Sequence, residues 1–487
     1  MSQRTRPGRH LLHVLRRRIG EKRLARYRRR TVALGTRLAT RTVRLWRRLG
    51  RRPALRLERA VRLDDTSGVR VVHGTLDPDG HGFRTLEAIA RDGTVRDLAA
   101  ALHRWPAAPR PLGASSRCER FAVRLDAGDE TGLRLVDRGG RSCTRRLPTA
   151  SVGDPFERIR ALLEPLHRVA GKRALHERVL GPAIERVMAS RTPDRSASAS
   201  AWNAELASAT PGTTLIIPIH GRDDFIEHQL ARFANDAELL EQDILYVIDD
   251  PRLHARVHAS AERLARLYRV PFRTLYLARN LGYAGANNVG ADHARGRYLL
   301  LLNSDVMPID PGWLGRLHAS AGERLDDALV GARLLYEDGT VQHDGMRFFR
   351  SPFHEGLWLN LHPGKGLPEA LFDTGSAALP REAVTGACLL IARHRWEQLG
   401  GLDERYVIGD FEDSDLCLKA RAAGMEVLLC PSARLFHLER QSQALEGAGG
   451  WREELTWYNG WRHAGRWHDT LSTIETGRVP AGTRART

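Results

Sequence analysis

Short apolar segments alternate with helical segments from Thr213 onward, and this alternation constrains the fold more than any other feature of the chain. The apolar segments span 214–218, 244–248, 272–277 and 298–302, and amphipathic stretches separate them. Strands that are apolar on both faces are typical of a parallel sheet covered by helices on both sides. The sequence therefore predicts an α/β domain over residues 210–445, with a doubly wound, mostly parallel sheet.

Candidate donor-site residues follow or end these strands, at the edge where such sheets bind ligands. They are Pro218, Asp249, Asp250, Asn303, Ser304 and Asp305. A carboxylate at a strand terminus can bind a divalent cation that bridges two phosphates, because it leaves coordination positions open on the other side. An acid at a strand end can also simply cap the next helix, and for each acid alone that alternative remains open.

The segment 279–290 joins the third and fourth strands and is rich in small residues. It contains Asn280, Gly282 and Asn287. Glycine and other small residues before a helix let the backbone approach a ligand, and the N-terminus of that helix favours an anion. The segment is therefore a candidate part of a nucleotide-sugar site.

Residues 410–424 predict a helix of about three turns with four carboxylates near its start, including Glu412 and Asp413. The helix dipole explains one or two acids there, but not four. A carboxylate held at this position can accept a proton from an attacking sugar hydroxyl. His437 follows a later apolar stretch, and its imidazole is either structural or a metal ligand.

The first 55 residues are predicted to form a basic amphipathic helical arm. Residues 1–60 hold 21 Lys and Arg against two acids, a net charge of +19, whereas the whole chain carries +18. The remainder therefore sums to −1, so the charge does not indicate a nucleic-acid-binding protein. The arm suits an anionic membrane surface, with a solvated tail as the alternative.

Three further regions complete the predicted organisation. Alternating apolar residues and Asp/Gly turns predict a small β-sandwich-like domain over residues 56–150. A helical connector and linker follows at 151–209, and a C-terminal helix and tail occupy 446–487. Five scattered cysteines without a CxxC pair indicate a reducing compartment, and the longest strongly apolar run, 298–302, is too short to cross a bilayer. We expect a cytoplasmic protein, peripheral at the inner face of the membrane if the arm binds lipid.

Taken in order, these segments resemble family 2 glycosyltransferases, particularly the bacterial rhamnosyltransferase-like and polysaccharide-assembly members. The matching segments are 249–250, 280–290, 303–305, 385–391, 399–404 and 412–418, with His437 and Ser442. The resemblance implies a GT-A fold, a nucleotide-sugar donor and a divalent metal, Mg²⁺ or Mn²⁺. The sequence departs from the family pattern at Asn303, where many relatives carry aspartate.

The resemblance also implies roles for individual residues. Asp249 would contact the pyrimidine base, Asp305 would hold the cation, and His437 would touch the metal or the diphosphate. Asp413, with Glu412 in the same motif, would be the catalytic base, and Gly386 lies in a matching segment of the donor site. Together these residues predict a site for both metal and proton transfer.

The predicted function is that of an inverting glycosyltransferase. It would move a sugar from a UDP- or dTDP-sugar to a hydroxyl of a polysaccharide or glycolipid acceptor in cell-surface polysaccharide biosynthesis. Two alternatives remain open: a nucleotide-sugar-binding scaffold with little catalysis, and a nucleotidyltransferase. The expected partners are the donor, a polysaccharide or lipid-linked acceptor and an anionic membrane surface, with no nucleic acid.

Overall fold

The structure is a computed structural model that describes residues 54–63, 68–77, 83–106, 119–148, 154–166, 169, 171–438 and 450–477. The predicted basic arm lies outside these residues, except that Ala54 and Leu55 already belong to the first strand. The predicted end of the arm at residue 55 is therefore corrected to a point before residue 54. No helix in the described ranges is long and apolar enough to cross a bilayer.

Two four-stranded antiparallel sheets form the first part of the described chain, as the sequence predicts. Their orders are β1-β2-β6-β5 and β4-β3-β7-β8. The strands are β1 Ala54–Arg62, β2 Arg70–Asp77, β3 Phe83–Ala90, β4 Val95–Asp97, β5 Leu102–Pro106, β6 Glu119–Leu125, β7 Glu130–Asp137 and β8 Ser142–Arg146. Alternating side chains from both sheets, such as Val72, Leu86 and Leu135, pack into one core.

The helical connector packs against the outer face of one of these sheets. It contains α1 Pro155–Leu163, α2 Lys172–Leu175 and α3 Gly181–Ser190, with a π-helical turn at His176–Leu180 between the last two. Val71 and Ala122 from the sheet share a buried cluster with Leu162 and Leu180 from the connector, and with Leu455 near the C-terminus. The connector therefore links the sandwich to the far end of the chain.

The second domain is built on an eleven-stranded sheet with a mostly parallel centre. Its order is β14-β21-β15-β20-β13-β10-β11-β12-β9, with β16 beside β15 and β19 beside β21. The strands are β9 Ala197–Trp202, β10 Thr213–Ile219, β11 Asp243–Ile248, β12 Phe272–Leu277, β13 Tyr298–Leu302, β14 Val306–Pro308, β15 Ala328–Leu335, β16 Val341–His343, β19 Leu379–Pro380, β20 Cys388–Ala392 and β21 Glu426–His437. A separate hairpin pairs β17 Arg347–Ser351 with β18 Leu357–Leu361.

The predicted α/β fold is confirmed. Strands β13, β10, β11 and β12 run parallel, and β15 is parallel to β21. Antiparallel β20 lies between β13 and β15, and β9 closes one edge. The helices are α4 Asp224–Phe233, α5 Ala237–Leu240, α6 His254–Tyr268, α7 Gly282–Asp292, α8 Trp313–Ala321, α9 Arg393–Leu399, α10 Glu412–Ala422, α11 Trp451–Arg466 and α12 His468–Glu475.

Two local predictions differ from the structure. Residues 197–202 were expected in a linker, but they form the edge strand β9, because backbone pairing with β12 needs no apolar pattern. The small residues near Gly282 were expected before a helix, but they lie inside α7. A Cβ at Gly290 would come within 2.5 Å of Ile216 Cγ2, so at that position the small residue allows the helix to pack closely on the sheet.

Candidate active site

The turn after β13 holds the first group of predicted site residues. The N–H of Asn303 donates to the carbonyl of Ala387 (2.9 Å), and the carbonyl of Asn303 accepts from the N–H of Val306 (3.1 Å). Gln229, on α4, donates from Nε2 to the carbonyls of Asn303 and Val306, both at 3.0 Å. Gln229 was not a sequence candidate, because an amide on an amphipathic helix carries no local signal. These contacts fix the turn that carries Asp305.

Asp305 and His437 lie next to each other because β14 pairs with β21. The register sets Val306 opposite His437, and Oδ1 of Asp305 is 3.4 Å from Nε2 of His437. Carboxylate oxygens suit Mg²⁺ and Mn²⁺, and neutral imidazole is a common additional ligand. In the described part of the chain, no group of three or more His, Cys, Asp or Glu could hold a metal ion. Asp305 and His437 are thus two candidate ligands for a divalent cation, and Asn303 and Ser304 are half-buried in the same turn.

Asp249 and Asp250 are buried at the end of β11, and both accept hydrogen bonds from the backbone. Asp249 accepts from the N–H groups of Leu281 (2.6 Å) and Gly282 (2.9 Å). Asp250 accepts from the N–H of Arg252 (3.1 Å) and pairs with its guanidinium. Burial raises the pKa of Asp249 to about 7, although both N–H groups oppose the shift. Asp249 thus holds the start of α7, and Asp250 caps the helical turn Pro251–Leu253 that follows β11. The contacts of both residues with a donor stay predictions.

The structure gives different surroundings to the other donor-site candidates. Oδ1 of Asn280 accepts from the N–H of Gly282 (2.8 Å), and Pro218 is half-buried in β10 opposite Val247. Asn287 is 0% exposed, and its Nδ2 donates to a carbonyl one turn earlier in α7. Asn287 thus contributes to the packing of α7 in the structure, and its contact with a donor stays a prediction.

Asp413 lies in the first turn of α10 and is held by the segment before β20. Its Oδ2 accepts from the N–H of Gly386 (3.0 Å), and its Oδ1 accepts from the N–H of Ser414 (2.7 Å). The carbonyl of Gly386 accepts from the hydroxyl of Tyr283 (2.7 Å). A Cβ at residue 386 would come within 2.8 Å of that hydroxyl and 3.3 Å of Asp413 Cβ. Glycine is therefore needed for this close approach.

The two neighbouring carboxyl groups have shifted pKa values. Burial raises the pKa of Asp413, while hydrogen bonds from Gly386, Ser414 and Thr385 oppose that shift. Glu412 is 6% exposed, and burial together with the charge of Asp413 raises its pKa well above the ordinary glutamate value. One proton on the pair relieves their repulsion. We expect Glu412 to hold that proton and Asp413 to remain ionised.

One backbone segment joins the metal-binding candidates to the candidate base. Gly386 donates to Asp413, and the carbonyl of the next residue, Ala387, accepts from Asn303 at the start of the turn that carries Asp305. Asp413 and the turn of Asp305 are far apart in the sequence, but backbone groups of two adjacent residues hold both of them.

The loop before α10 has an unusual backbone, which the sequence did not reveal. Ile408, Asp410 and Phe411 have φ values of 66°, 77° and 75°, in the left-handed region. A β-branched residue such as Ile408 rarely adopts this conformation, and such strain is common at functional sites. Asn459, on α11, holds the loop: its Oδ1 accepts from the N–H of Val407 (3.0 Å), and its Nδ2 donates to the Val407 carbonyl (3.2 Å). The C-terminal helix therefore belongs to the site.

Strand β16 supplies two further residues that the sequence analysis missed. Gln342 contacts His437, with its Oε1 2.6 Å from Nδ1 of the imidazole. His343 accepts at Nε2 from the N–H of Thr385 (3.3 Å), and its Nδ1 is 3.0 Å from Nδ1 of His362. Two adjacent polar residues in a three-residue strand were the only local signal of this role.

A cleft of about 600 Å³ lies beside the segment that holds Asp413. The N–H of Met346 in its wall donates to the carbonyl of Ala383 (2.7 Å), two residues before Thr385. Leu367 and Leu371 in its lining are 47% and 70% exposed. The lining also includes Arg347, Pro363, Phe372, Pro380, Arg381 and Glu382.

Comparison with known sequences adds a family to this geometry. Residues 214–384 match the family model described as glycosyl transferase family 2. These residues therefore form a family 2 glycosyltransferase domain. The match ends before Asp413 and His437, so the roles of these two residues depend on the geometry above.

Two curated proteins are similar to this chain in sequence. The chain is 31% identical over 376 residues to the uncharacterized protein y4gI of Sinorhizobium fredii, covering 75% of this chain and 34% of that protein. It is also 31% identical over 254 residues to the O-antigen biosynthesis protein RfbC of Myxococcus xanthus, covering 50% of this chain and 19% of RfbC. The chain thus spans about a third or less of the length of these two relatives.

Among solved structures, the chain is similar to GalNAc-T7 crystallised with UDP, GalNAc and Mn²⁺. The sequence identity is 18%, the TM-score is 0.40, and the alignment covers 56% of this chain and 52% of that one.

Proposed function

We propose that this chain is an inverting, metal-dependent glycosyltransferase of glycan assembly. It would move a sugar from a UDP- or dTDP-sugar to a hydroxyl of a polysaccharide or glycolipid acceptor. The observation that carries the proposal is a pair of hydrogen bonds at residues 386–387. The N–H of Gly386 donates to the candidate base Asp413, and the carbonyl of Ala387 accepts from Asn303 in the turn of Asp305. The relation to an O-antigen biosynthesis protein supports glycan assembly.

In the proposed reaction, Asp413 accepts the proton of the acceptor hydroxyl as that oxygen attacks the anomeric carbon. The attack comes from the face opposite the leaving nucleoside diphosphate, which inverts the anomeric centre. Asp305 and His437 would hold the cation, and a bound Mg²⁺ or Mn²⁺ would neutralise charge on the departing diphosphate. Base and diphosphate-binding residues act at opposite ends of one displacement, so both are needed in the transition state.

The acceptor is proposed to occupy the cleft beside Asp413. Three residues of its lining, Pro380, Arg381 and Glu382, directly precede the segment 383–387 whose Gly386 holds Asp413. Its exposed leucines, Leu367 and Leu371, support the glycolipid alternative, because a polysaccharide without an apolar group gains little from aliphatic side chains. Cytoplasmic location and contact of the basic arm with an anionic membrane are part of the same proposal.

Incubation with a panel of nucleotide sugars tests the proposed activity. Release of UDP or dTDP from one sugar nucleotide, increased by a lipid-linked saccharide, would support it. No diphosphate release from any UDP- or dTDP-sugar, with native folding verified, would overturn the proposal in favour of the scaffold alternative. Release of pyrophosphate from a nucleoside triphosphate and a sugar phosphate would indicate a nucleotidyltransferase.

Chelation of divalent metal is expected to abolish diphosphate release. EDTA should lower the rate at least about 100-fold, because a bound metal ion often stabilises the charge of the transition state by several kcal/mol. Added Mn²⁺ or Mg²⁺ should restore it in the native chain, but not in Asp305→Ala. Asp310→Ala, an exposed acid five residues later, is the matched control and should respond like the native chain. Full activity in EDTA would contradict the assignment of Asp305.

Leu371→Asp is expected to weaken binding of a lipid-linked acceptor. Removing an apolar contact and adding a charge should raise the acceptor KM about tenfold, equivalent to about 1.4 kcal/mol, without changing the donor KM. Leu267→Asp is the control, because Leu267 is 59% exposed on α6, outside the cleft. An unchanged acceptor KM, or an equal effect on a water-soluble acceptor without lipid, would argue against the glycolipid in this cleft.

A further inference from the structure

Both ring nitrogens of His437 face a partner in the structure. Nε2 lies 3.4 Å from Oδ1 of Asp305, and Nδ1 lies 2.6 Å from Oε1 of Gln342. The other end of the Gln342 amide is also engaged, because its Nε2 donates to the backbone carbonyl of His437 at 2.9 Å. Gln342 thus contacts both the ring and the backbone of the same histidine.

These contacts determine where the imidazole proton lies. A backbone carbonyl can only accept a hydrogen bond, so the Gln342 atom facing it must be the NH₂ group. The amide oxygen therefore faces Nδ1, and Nδ1 must carry the hydrogen that this oxygen accepts. In the neutral imidazole, Nε2 of His437 is then unprotonated and has its lone pair available.

In the neutral imidazole, this tautomer directs the Nε2 lone pair at Asp305, which is unfavourable unless a proton or a metal cation lies between the two atoms. The lone pair of Nε2 and the carboxylate of Asp305 are both electron-rich, and at 3.4 Å they have no hydrogen between them. A divalent cation bound by both atoms would remove that repulsion. A hydrogen bond from the distal nitrogen of a metal-binding histidine is a common way to fix its tautomer and ring orientation.

The backbone around Gln342 is irregular in a way that serves this contact. In the antiparallel pair of β15 and β16, Leu334 lies opposite His343 and Leu335 lies opposite Val341, so Gln342 is an extra residue in β16. A β-bulge of this kind re-aims a side chain and often occurs beside active sites. Gln342 is only 4% exposed, and its amide is directed at His437.

We propose that Gln342 is a positioning residue that holds His437 in the tautomer able to bind a divalent cation with Asp305. The proposal rests on the metal-dependent function proposed above. Gln342 itself would not touch the metal or the substrates, and it acts through His437 alone.

The test measures Mn²⁺ binding to the full chain in the presence of excess UDP, with free Mn²⁺ quantified by electron paramagnetic resonance. Gln342→Leu removes both amide contacts and should raise the Kd for Mn²⁺ about 10- to 100-fold. Gln342→Glu keeps an oxygen that accepts from Nδ1 but loses the NH₂ group that donates to the His437 carbonyl, so its Kd should lie between the native value and that of Gln342→Leu. Gln398→Leu, an exposed glutamine on α9, is the control and should leave the Kd unchanged.

The outcomes separate this inference from the proposed function. If the native chain fails to bind Mn²⁺, the metal site itself is wrong. If the native chain binds and Gln342→Leu binds equally well, only the role of Gln342 is overturned. If Gln342→Glu and Gln342→Leu raise the Kd for Mn²⁺ equally, the inference is also overturned, because the oxygen that accepts from Nδ1 then makes no difference. Melting temperatures of all variants ensure that only folded protein is compared.

Discussion

Asp413→Asn is expected to lower kcat for sugar transfer by about 10²- to 10⁴-fold, the range typical of a lost general base. Asparagine keeps one oxygen for the N–H of Gly386 or Ser414, so the start of α10 should persist, but it cannot take a proton from the acceptor. The donor KM should change little. Initial rates with the donor found in the nucleotide-sugar panel provide the measurement.

Two further variants make the result specific. Asp469→Asn changes an exposed aspartate at the second residue of α12, the position that Asp413 holds in α10, and should leave kcat unchanged. Glu412→Gln should cost far less than Asp413→Asn, because the raised pKa of Glu412 keeps that group protonated. Equal losses from Glu412→Gln and Asp413→Asn would show that the two roles are assigned wrongly.

The pH dependence of kcat follows from the raised pKa of Asp413. Burial raises the pKa of Asp413, and the base is active only when ionised. As the pH falls through this raised pKa, kcat should decline, so the acid limb should lie above the ordinary aspartate value of about 3.9. An acid limb at or below that value would contradict the raised pKa.

Asn459→Leu is expected to destabilise the chain by about 2–4 kcal/mol and to lower kcat. The substitution removes the amide that accepts from the N–H of Val407 and donates to the carbonyls of Val407 and Gly409. The Val407 N–H and the Gly409 carbonyl lose this partner, whereas the Val407 carbonyl still accepts from the N–H of Gly409 (2.8 Å). The loop 408–411 would then lose the contact that maintains its left-handed residues, and Asp413 would be less well positioned. Thermal unfolding and initial rates measure the two effects.

A matched substitution controls for surface changes on the same helix pair. Thr473→Val removes a hydroxyl on α12 that makes an exposed hydrogen bond. The only described partner of this hydroxyl is a carbonyl of the same helix, so the substitution should leave stability and kcat nearly unchanged. If Asn459→Leu were as stable and as active as the native chain, α11 would have no role in holding the site.

The sequence by itself determined the elements that depend on local pattern. The strands β10 to β13 appear within a residue or two of their predicted bounds, because buried parallel strands require continuous apolar runs. The helix of Glu412 and Asp413 also begins where the acids predict it, and the acids at strand ends lie at one edge of the sheet. Local residues could also indicate chemistry, because a carboxylate or histidine at a strand end or helix start can bind a cation or accept a proton.

The tertiary structure alone decided which side chains hold these groups in place. Gln342 and His437 are 95 residues apart, and Asn459 and Val407 are 52 apart, so no local pattern links them. The burial of Asn287 inside α7 was also decided by the fold, because its segment was predicted to precede a helix. Amides act through geometry and not through a distinctive charge, so they can be recognised only when the fold brings their partners within hydrogen-bond distance.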